Sequence, residues 1–197
     1  YDGGAFWAQA RLGCIPAGEF ADTATVVALA QPTEREGSDV YHAVSEWRTT
    51  DNGGSWDGPV EHADTLGRRT EDGGIVVGIC DMTPRWHAAT RTLLATGHTV
   101  RYASSESRGP MIARRRETAY SIYDHRARVW TPWDTLRMPD RTDFANAGAG
   151  SSERFDLEDG TVRCRNRVFI DRQKQDTDTD YTFNTPGLLS DILVSDG

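Results

Sequence analysis

The sequence predicts an all-β protein built from repeated units. Short runs rich in β-branched and aromatic residues alternate with turn-forming stretches such as DNGG, EDGG and EDG. Apolar residues do not recur at helical spacing over any sustained length, which argues against long helices. One turn pattern returns at nearly constant intervals, which is typical of repeat architectures. Many short strands with periodic glycine and aromatic positions favour a sandwich, a barrel or a propeller.

The β-rich runs predict the strands in chain order. They are Thr25–Ala30, Tyr41–Arg48, Gly74–Cys80, Thr92–Tyr102, Thr118–Tyr123, Arg128–Trp133, Phe155–Val162 and Arg167–Ile170. The polar segment 173–180 is predicted to be a loop. Its alternating acids suggest calcium, but the glycine and final glutamate of an EF-hand are missing, so no metal site is predicted. No domain boundary is visible, and residues 1–197 are treated as one domain.

The most informative turn spans residues 49–56 and has the pattern S/T-x-D-x-G-x-x-W, called an Asp box. The Asp51 carboxylate is expected to accept backbone N–H groups of the turn, and Gly53 suits a positive φ. Thr49 can hydrogen-bond locally. Trp56 is expected to pack its ring under the turn. These residues identify an architecture rather than a chemistry.

The Asp box recurs along the chain. A degenerate copy occupies residues 121–130 around Asp124, and a stub at 194–197 contains Asp196. The first two aspartates, Asp51 and Asp124, are separated by 73 residues, and the next interval is 72. Near-constant spacing of one turn predicts a repeated supersecondary unit.

Composition restricts the function classes. The 197 residues are long enough for a substantial core, and a net charge of −8 argues against non-specific nucleic-acid binding. No apolar run reaches the length of a membrane span. The three cysteines have no metal-ligand spacing, and nucleotide, haem, flavin and zinc motifs are missing, so no cofactor is predicted. Tyr1 is expected to begin a processed chain or a fragment, and a secreted, periplasmic or cytoplasmic location all stay open.

Two further segments accompany the Asp boxes and carry a family resemblance. Asp81–Leu94 is similar to a second-blade segment in which a proline-containing turn and strand precede another turn and strand. Ala147–Gly150, followed by Phe155–Val162, looks like a G-P-G-x-G-I-x-L-x-x-G-R-L segment. With these segments the chain resembles the sialidase (neuraminidase) superfamily of six-bladed β-propellers, over roughly residues 5–170. The basic run Arg163–Arg167 departs from the family's pattern.

The resemblance implies a β-propeller of sialidase type, of which this chain covers about three blades as the N-terminal part. A half ring exposes strand edges and an open apolar flank. The rest of the ring is therefore expected from the same polypeptide or from a separate chain, unless the repeats close in another way.

The resemblance also implies candidate site residues. Arg11 looks like the first-blade arginine that binds the substrate carboxylate, since guanidinium groups bind carboxylates bidentately. Asp39 lies where the family's acid/base aspartate is found, and Glu36 is its rival. Arg35 could contact substrate or pair with either acid. Alternatively, Arg11 is an exposed strand arginine and the acids belong to a solvated turn. The family's nucleophilic tyrosine and its glutamate come from later blades and match no residue here.

Strand alternation suggests a different active pair. It places His98 and Tyr102 on one face of their strand, where they could line a central funnel as the base and acid of a propeller-type lyase. The alternative is that His98 is simply hydrogen-bonded in the core. Trp86 could offer a sugar-stacking platform, or it could fill the core.

Three functions compete. The first is a sialidase-like glycoside hydrolase, or part of one, acting on acidic or sialylated glycans. The second is a non-catalytic propeller that binds glycans or proteins. The third is a propeller-type polysaccharide lyase acting on uronate polymers. Each implies a carbohydrate substrate or a binding partner, and none requires nucleic acid.

Overall fold

The computed structural model describes residues 5–34, 40–103, 116–136, 147–148, 154–158, 161–168 and 188–193. These residues form three antiparallel β-sheets with one four-residue helix, α1 (Ala63–Leu66), which confirms the all-β prediction. Several predicted features lie outside the described residues. They are Arg35, Glu36, Asp39, the loop at 173–180 and the Asp-box stub at 194–197.

The first sheet is a simple four-stranded meander in the order β1-β2-β3-β4. Its strands are β1 (Ala5–Ile15), β2 (Thr25–Glu34), β3 (Ser45–Thr49) and β4 (Asp57–Glu61). Because successive antiparallel strands are joined at alternate ends, the β1–β2 turn and the Asp box between β3 and β4 lie at one end of the sheet. The connection between β2 and β3 lies at the other end.

The second sheet repeats this plan. Its strands are β5 (Arg69–Thr70), β6 (Val76–His87), β7 (Thr92–Tyr102), β8 (Thr118–Asp124), β9 (Val129–Trp130) and β10 (Asp134–Thr135). Strands β6, β7 and β8 pair in sequence, and β9 and β10 both pair with the outer edge of β8. The short β5 pairs with β6 at the opposite edge. The degenerate Asp box therefore joins β8 to β9, as the first joins β3 to β4.

The third sheet contains four strands, three of which pair with the central one. They are β11 (Ala147–Gly148), β12 (Arg154–Asp156), β13 (Thr161–Val168) and β14 (Leu188–Leu193). Strand β13 pairs with β11 and β12 through different residues, and with β14. In the part of the chain that the structure describes, no sheet closes on itself. Within the same residues, no helix is long and apolar enough to cross a membrane.

The first and second sheets pack through β1 and β6, and the main core lies between them. The two backbones come very close at Gly13, where an added Cβ would lie 2.8 Å from the carbonyl oxygen of Pro84. A buried side chain also joins the sheets. Gln31 on β2 donates its amide hydrogens to the carbonyl oxygens of His42 and Ile79, at 2.9 and 2.7 Å.

The strands β1 and β6 share an irregularity. The pairing register shifts between Ala8 and Arg11 in β1, and again between Cys80 and Thr83 in β6. At each shift one non-glycine residue has a φ of 57°, namely Gln9 and Asp81. These two residues are 72 positions apart, one fewer than the 73 positions between Asp51 and Asp124. The two sheets therefore share the position of a bulge as well as their strand order.

Several predicted segments need correction. Strand β6 continues through Pro84, which was expected in a turn, and its pairing partner is Ala95 on β7. The predicted strand Phe155–Val162 is interrupted, because β12 ends at Asp156 and β13 begins at Thr161. Strands β1, β4, β5, β10, β11 and β14 had no counterpart among the predicted strands.

Candidate functional site

The bulges of β1 and β6 bring charged side chains together between the first two sheets. Arg11 Nη2 lies 3.1 Å from Oδ1 of Asp81, and Nδ1 of His98 lies 3.8 Å from Oδ2 of the same carboxylate. His98 lies on β7 and is paired with Cys80 on β6. The Asp81 carboxylate therefore joins two residues that the sequence had proposed separately, Arg11 and His98.

Gln9 fixes the backbone at this point. Its Oε1 accepts the N–H of Asp81 at 2.8 Å, and its Nε2 donates to the hydroxyl of Tyr41 at 2.9 Å. Each bulge thus turns a polar group toward the other sheet: Gln9 offers its side chain, and Asp81 offers its backbone N–H. This hydrogen bond fixes the backbone of Asp81, whose carboxylate contacts Arg11.

The neighbours of His98 indicate which ring nitrogen carries the proton when the imidazole is neutral. Nε2 lies 3.0 Å from Nη1 of Arg116 and 3.1 Å from Sγ of Cys80. Because a guanidinium has donors only, Nε2 of His98 must be the acceptor in its contact with Arg116. This assignment places the ring proton of a neutral imidazole on Nδ1, which faces Asp81.

The cluster is only partly accessible. Cys80 and His98 are buried, whereas 32% of the Arg11 side chain and 17% of the Asp81 side chain remain exposed. The backbone of Gly148 on β11 packs directly over His98, since an added Cβ would lie 2.5 Å from the His98 Cβ. Arg11 and Asp81 thus form the open side of the site.

Tyr102 plays a packing role in this structure. It is fully buried, its hydroxyl accepts the N–H of Tyr41 at 2.9 Å, and the Arg68 guanidinium lies 4.6 Å from its ring centroid. Tyr102 also packs with Val100, on the face that alternation assigns to both. Its complete burial disfavours a role as an acid that contacts a polymer.

Trp86 lies near the end of β6, five residues beyond Asp81, and is partly buried against the core. Phe20 meets it edge-to-face, with ring centroids 5.8 Å apart, and His125 stacks on Phe20. The ring of Trp86 is therefore engaged by neighbours rather than presented as an open stacking platform. Trp86 and the Arg11–Asp81–His98 cluster do not form one site.

The first Asp box is a hydrogen-bonded turn. Oδ1 of Asp51 accepts the N–H of Ser55 at 2.9 Å and the hydroxyl of Thr49 at 2.7 Å, and Oδ2 accepts the Ser55 hydroxyl at 2.7 Å. Asn52 and Gly53 have φ values of 58° and 89°. The hydrogen bonds from Ser55, followed by that from Thr49, lower the pKa of Asp51 to about 2.

The two Asp boxes differ in their hydrogen bonds and in their tryptophans. Asp124 accepts the N–H groups of Arg126 and Ala127 in a tighter turn. Trp130 is buried, whereas Trp56 is 42% exposed rather than packed under its turn as predicted. The two turns occupy the same place after the third strand of the meander, but only the second inserts its indole between sheets.

Glu46 is a buried residue that sequence reasoning missed. Its carboxylate accepts hydrogen bonds from the Tyr123 hydroxyl and the Trp130 indole, at 3.0 and 2.7 Å, and lies 3.1 Å from Nε2 of His62. Burial, followed by the charge of Glu46, raises the pKa of Tyr123 far above its ordinary value. The Tyr123 hydroxyl therefore stays protonated, which is the opposite of an activated nucleophile.

No family model matches this chain, and no curated protein matches it.

Sequence reasoning also missed Gln9, Cys80, Asp81 and Arg116 as members of the cluster. Asp81 and Cys80 end an apolar run, and Gln9 stands in a strand that was not predicted. One signal was available: the spacing of Gln9 and Asp81 is within one residue of that between Asp51 and Asp124, so a repeat comparison would have placed them at nearly equivalent positions.

Proposed function

We propose that this chain is a propeller segment of sialidase type that acts as a glycoside hydrolase on acidic or sialylated glycans. In this proposal Arg11 binds the substrate carboxylate and Asp39 is the acid/base, with Glu36 as its alternative. Arg35 is assigned to the same substrate-binding region.

The repeated plan of the first two sheets is the observation that carries the proposal. Both are antiparallel meanders with a bulge in a long strand, at Gln9 and Asp81, and an aspartate-containing turn after the third strand of the meander, at Asp51 and Asp124. They pack against each other through the bulged strands β1 and β6. Face-to-face packing of successive four-stranded meanders is how propeller blades are arranged.

The geometry at Arg11 supports its proposed role. Arg11 has five N–H donors. One of them donates a hydrogen bond to the carbonyl oxygen of Ala10, and another donates one to Asp81. The Asp81 carboxylate and the Ala10 carbonyl oxygen together orient the guanidinium, and the side chain stays partly exposed to solvent. An oriented, accessible guanidinium is suited to bidentate recognition of a carboxylate.

Hydrolysis of an aryl sialoside by the complete protein tests this proposal. Arg11→Lys keeps the charge but loses the planar fork, and should lower kcat/KM about tenfold to hundredfold. Asp39→Asn should lower kcat by about 10²- to 10⁴-fold, as expected for loss of a general acid. Arg126→Lys, in the exposed β8–β9 turn, is the matched control and should leave turnover unchanged. Wild-type turnover in both Arg11→Lys and Asp39→Asn would refute the assignments.

A non-catalytic glycan-binding propeller is the second candidate. The ion pair between Arg11 and Asp81 favours it, because a carboxylate already beside the guanidinium weakens the attraction for a second anion. This candidate predicts no turnover of any aryl glycoside, with glycan binding that Arg11→Lys leaves unchanged. The lyase alternative receives less support, since His98 and Tyr102 are both buried.

A further inference from the structure

The cluster beneath Arg11 contains three potential metal ligands of different chemical types. One donor atom from each of Cys80, Asp81 and His98 lies within 4.8 Å of the other two. The Cys80 sulfur is 3.1 Å from Nε2 of His98, and Oδ2 of Asp81 is 3.8 Å from Nδ1. Ligands bound tetrahedrally at 2.0–2.3 Å lie roughly 3.5 Å apart. A single ring nitrogen of His98 binds the ion, so the Cys80 sulfur and the Asp81 carboxylate must turn toward the same nitrogen, from donor atoms that already lie within 4.8 Å of one another.

From this geometry we propose that Cys80, Asp81 and His98 bind a zinc ion. A thiolate, an imidazole and a carboxylate form a donor set suited to zinc rather than to magnesium or calcium, which prefer oxygen ligands. Three protein ligands leave a fourth position for water or another small ligand. The proposal is independent of whether the protein hydrolyses glycans.

The surroundings of the three residues support the assignment. Arg11 donates a hydrogen bond to Oδ1 of Asp81, and Oδ2 lies on the side of His98. Ligating carboxylates are commonly oriented by such a second partner. Cys80 and His98 are buried, so water competes poorly for them, while the partly exposed Asp81 provides the side from which an ion enters.

Arg116 competes with a metal ion for the His98 ring. Its guanidinium lies 3.0 Å from Nε2 of His98, and it cannot share that nitrogen with a metal ion. Either Arg116 moves away when zinc binds or zinc takes Nδ1. Removing this positive charge is expected to raise zinc affinity about tenfold, since repulsion between the two cations is lost.

Zinc titration of a variant with a single cysteine tests the proposal. The chain has three cysteines, so the double substitution Cys14→Ser and Cys164→Ser leaves Cys80 as the only thiol. This background protein, stripped with a chelator, should bind one equivalent of Zn²⁺ in competition with a chromophoric chelator. Co²⁺ in its place should give a thiolate-to-metal charge-transfer band, which reports on Cys80 without any change at that residue.

Further substitutions in the same background separate ligands from bystanders. Cys80→Ser, His98→Gln and Asp81→Asn should each weaken binding, by about a hundredfold or more for the first two. His87→Gln removes a buried histidine that is hydrogen-bonded to Thr90 instead, and should leave affinity unchanged. The proposal is overturned if the folded background protein binds no zinc, if the Co²⁺ complex lacks the thiolate band, or if full affinity survives in both Cys80→Ser and His98→Gln.

Discussion

The indole N–H of Trp130 donates a hydrogen bond to Oε2 of Glu46 over 2.7 Å, across the boundary between the first two sheets. Tyr123 and His62 complete the surroundings of the same carboxylate, and Glu46 is buried. The contacts with Tyr123 and Trp130 join residues 77 and 84 positions apart in the sequence. The group, called the polar joint below, is therefore a buried set of hydrogen bonds between the first two sheets.

Removing the acceptor of the polar joint is expected to destabilise the fold strongly. Glu46→Ala leaves the Tyr123 hydroxyl and the Trp130 indole as buried donors without an acceptor, and should lower the free energy of unfolding by about 3–5 kcal/mol. Urea denaturation at neutral pH measures the loss. Trp56→Phe, at the exposed tryptophan of the other Asp box, is the control and should cost about 0.5 kcal/mol or less. Equal losses in both variants would show that the buried hydrogen bonds of Glu46 add nothing specific to the free energy of unfolding.

The Asp51 turn predicts a pH dependence of stability. The pKa of Asp51 is about 2 in the folded protein, below its ordinary value of 3.8. A lowered pKa means that the ionised carboxylate stabilises the folded state above about pH 4, and that this contribution disappears as the pH falls toward 2. Asp51→Asn should therefore be less stable than wild type at pH 6, with the difference shrinking at pH 2.5. Urea midpoints at both pH values provide the check, and a difference that is constant with pH would contradict the assigned pKa.

Arg154 fastens the third sheet to the second. This buried side chain donates to the carbonyl oxygens of Leu94 and Arg85, at 2.7 and 2.9 Å, and is paired with Asp156. Arg154→Met should cost about 2–4 kcal/mol, because buried carbonyl oxygens lose charged donors. Limited proteolysis should then cut faster near the third sheet, with the first two sheets recovered as a fragment. Arg126→Met, at an exposed arginine, should leave the cleavage rate unchanged, and equal protection in both variants would argue against this anchoring role.

At Gly13 the first two sheets are too close together to admit a side chain. A Cβ at this position would lie 2.8 Å from the Pro84 carbonyl oxygen and 2.9 Å from Cδ1 of Leu93. Gly13→Ala must push β1 away from β6, and is expected to cost about 1–3 kcal/mol. Thermal denaturation measures the shift, with Cys14→Ala at the exposed neighbouring position as the control. An unchanged melting temperature would mean that the two strands separate without cost.

The sequence predicted strands best where apolar residues are continuous or alternate strictly. Strand β7 has the predicted bounds, Thr92–Tyr102, and nearly all of its residues are buried. Strand β1 was missed because its bulge interrupts the alternation and because Phe6, Trp7 and Leu12 are exposed. Strand β4 was missed for a different reason: all five of its residues are exposed, so burial imposes no pattern on them.

The candidate site was only partly predictable for a related reason. Arg11 and His98 were singled out individually, but what unites them is Asp81, whose left-handed backbone lies in a bulge. A bulge changes which face a side chain occupies, so strict alternation assigns residues beyond it to the wrong side. The roles of Asp39 and Glu36 stay predictions, since both lie outside the described residues.

The two amide hydrogen bonds of Gln31 have a consequence for behaviour in acid. A primary amide neither gains nor loses a proton between pH 2 and pH 12, and it carries no charge for salt to screen. Acidification protonates the carboxylates of this chain, but it does not affect the hydrogen bond from Gln31 on β2 to Ile79 on β6. The first two sheets therefore keep this hydrogen bond at low pH and at high ionic strength.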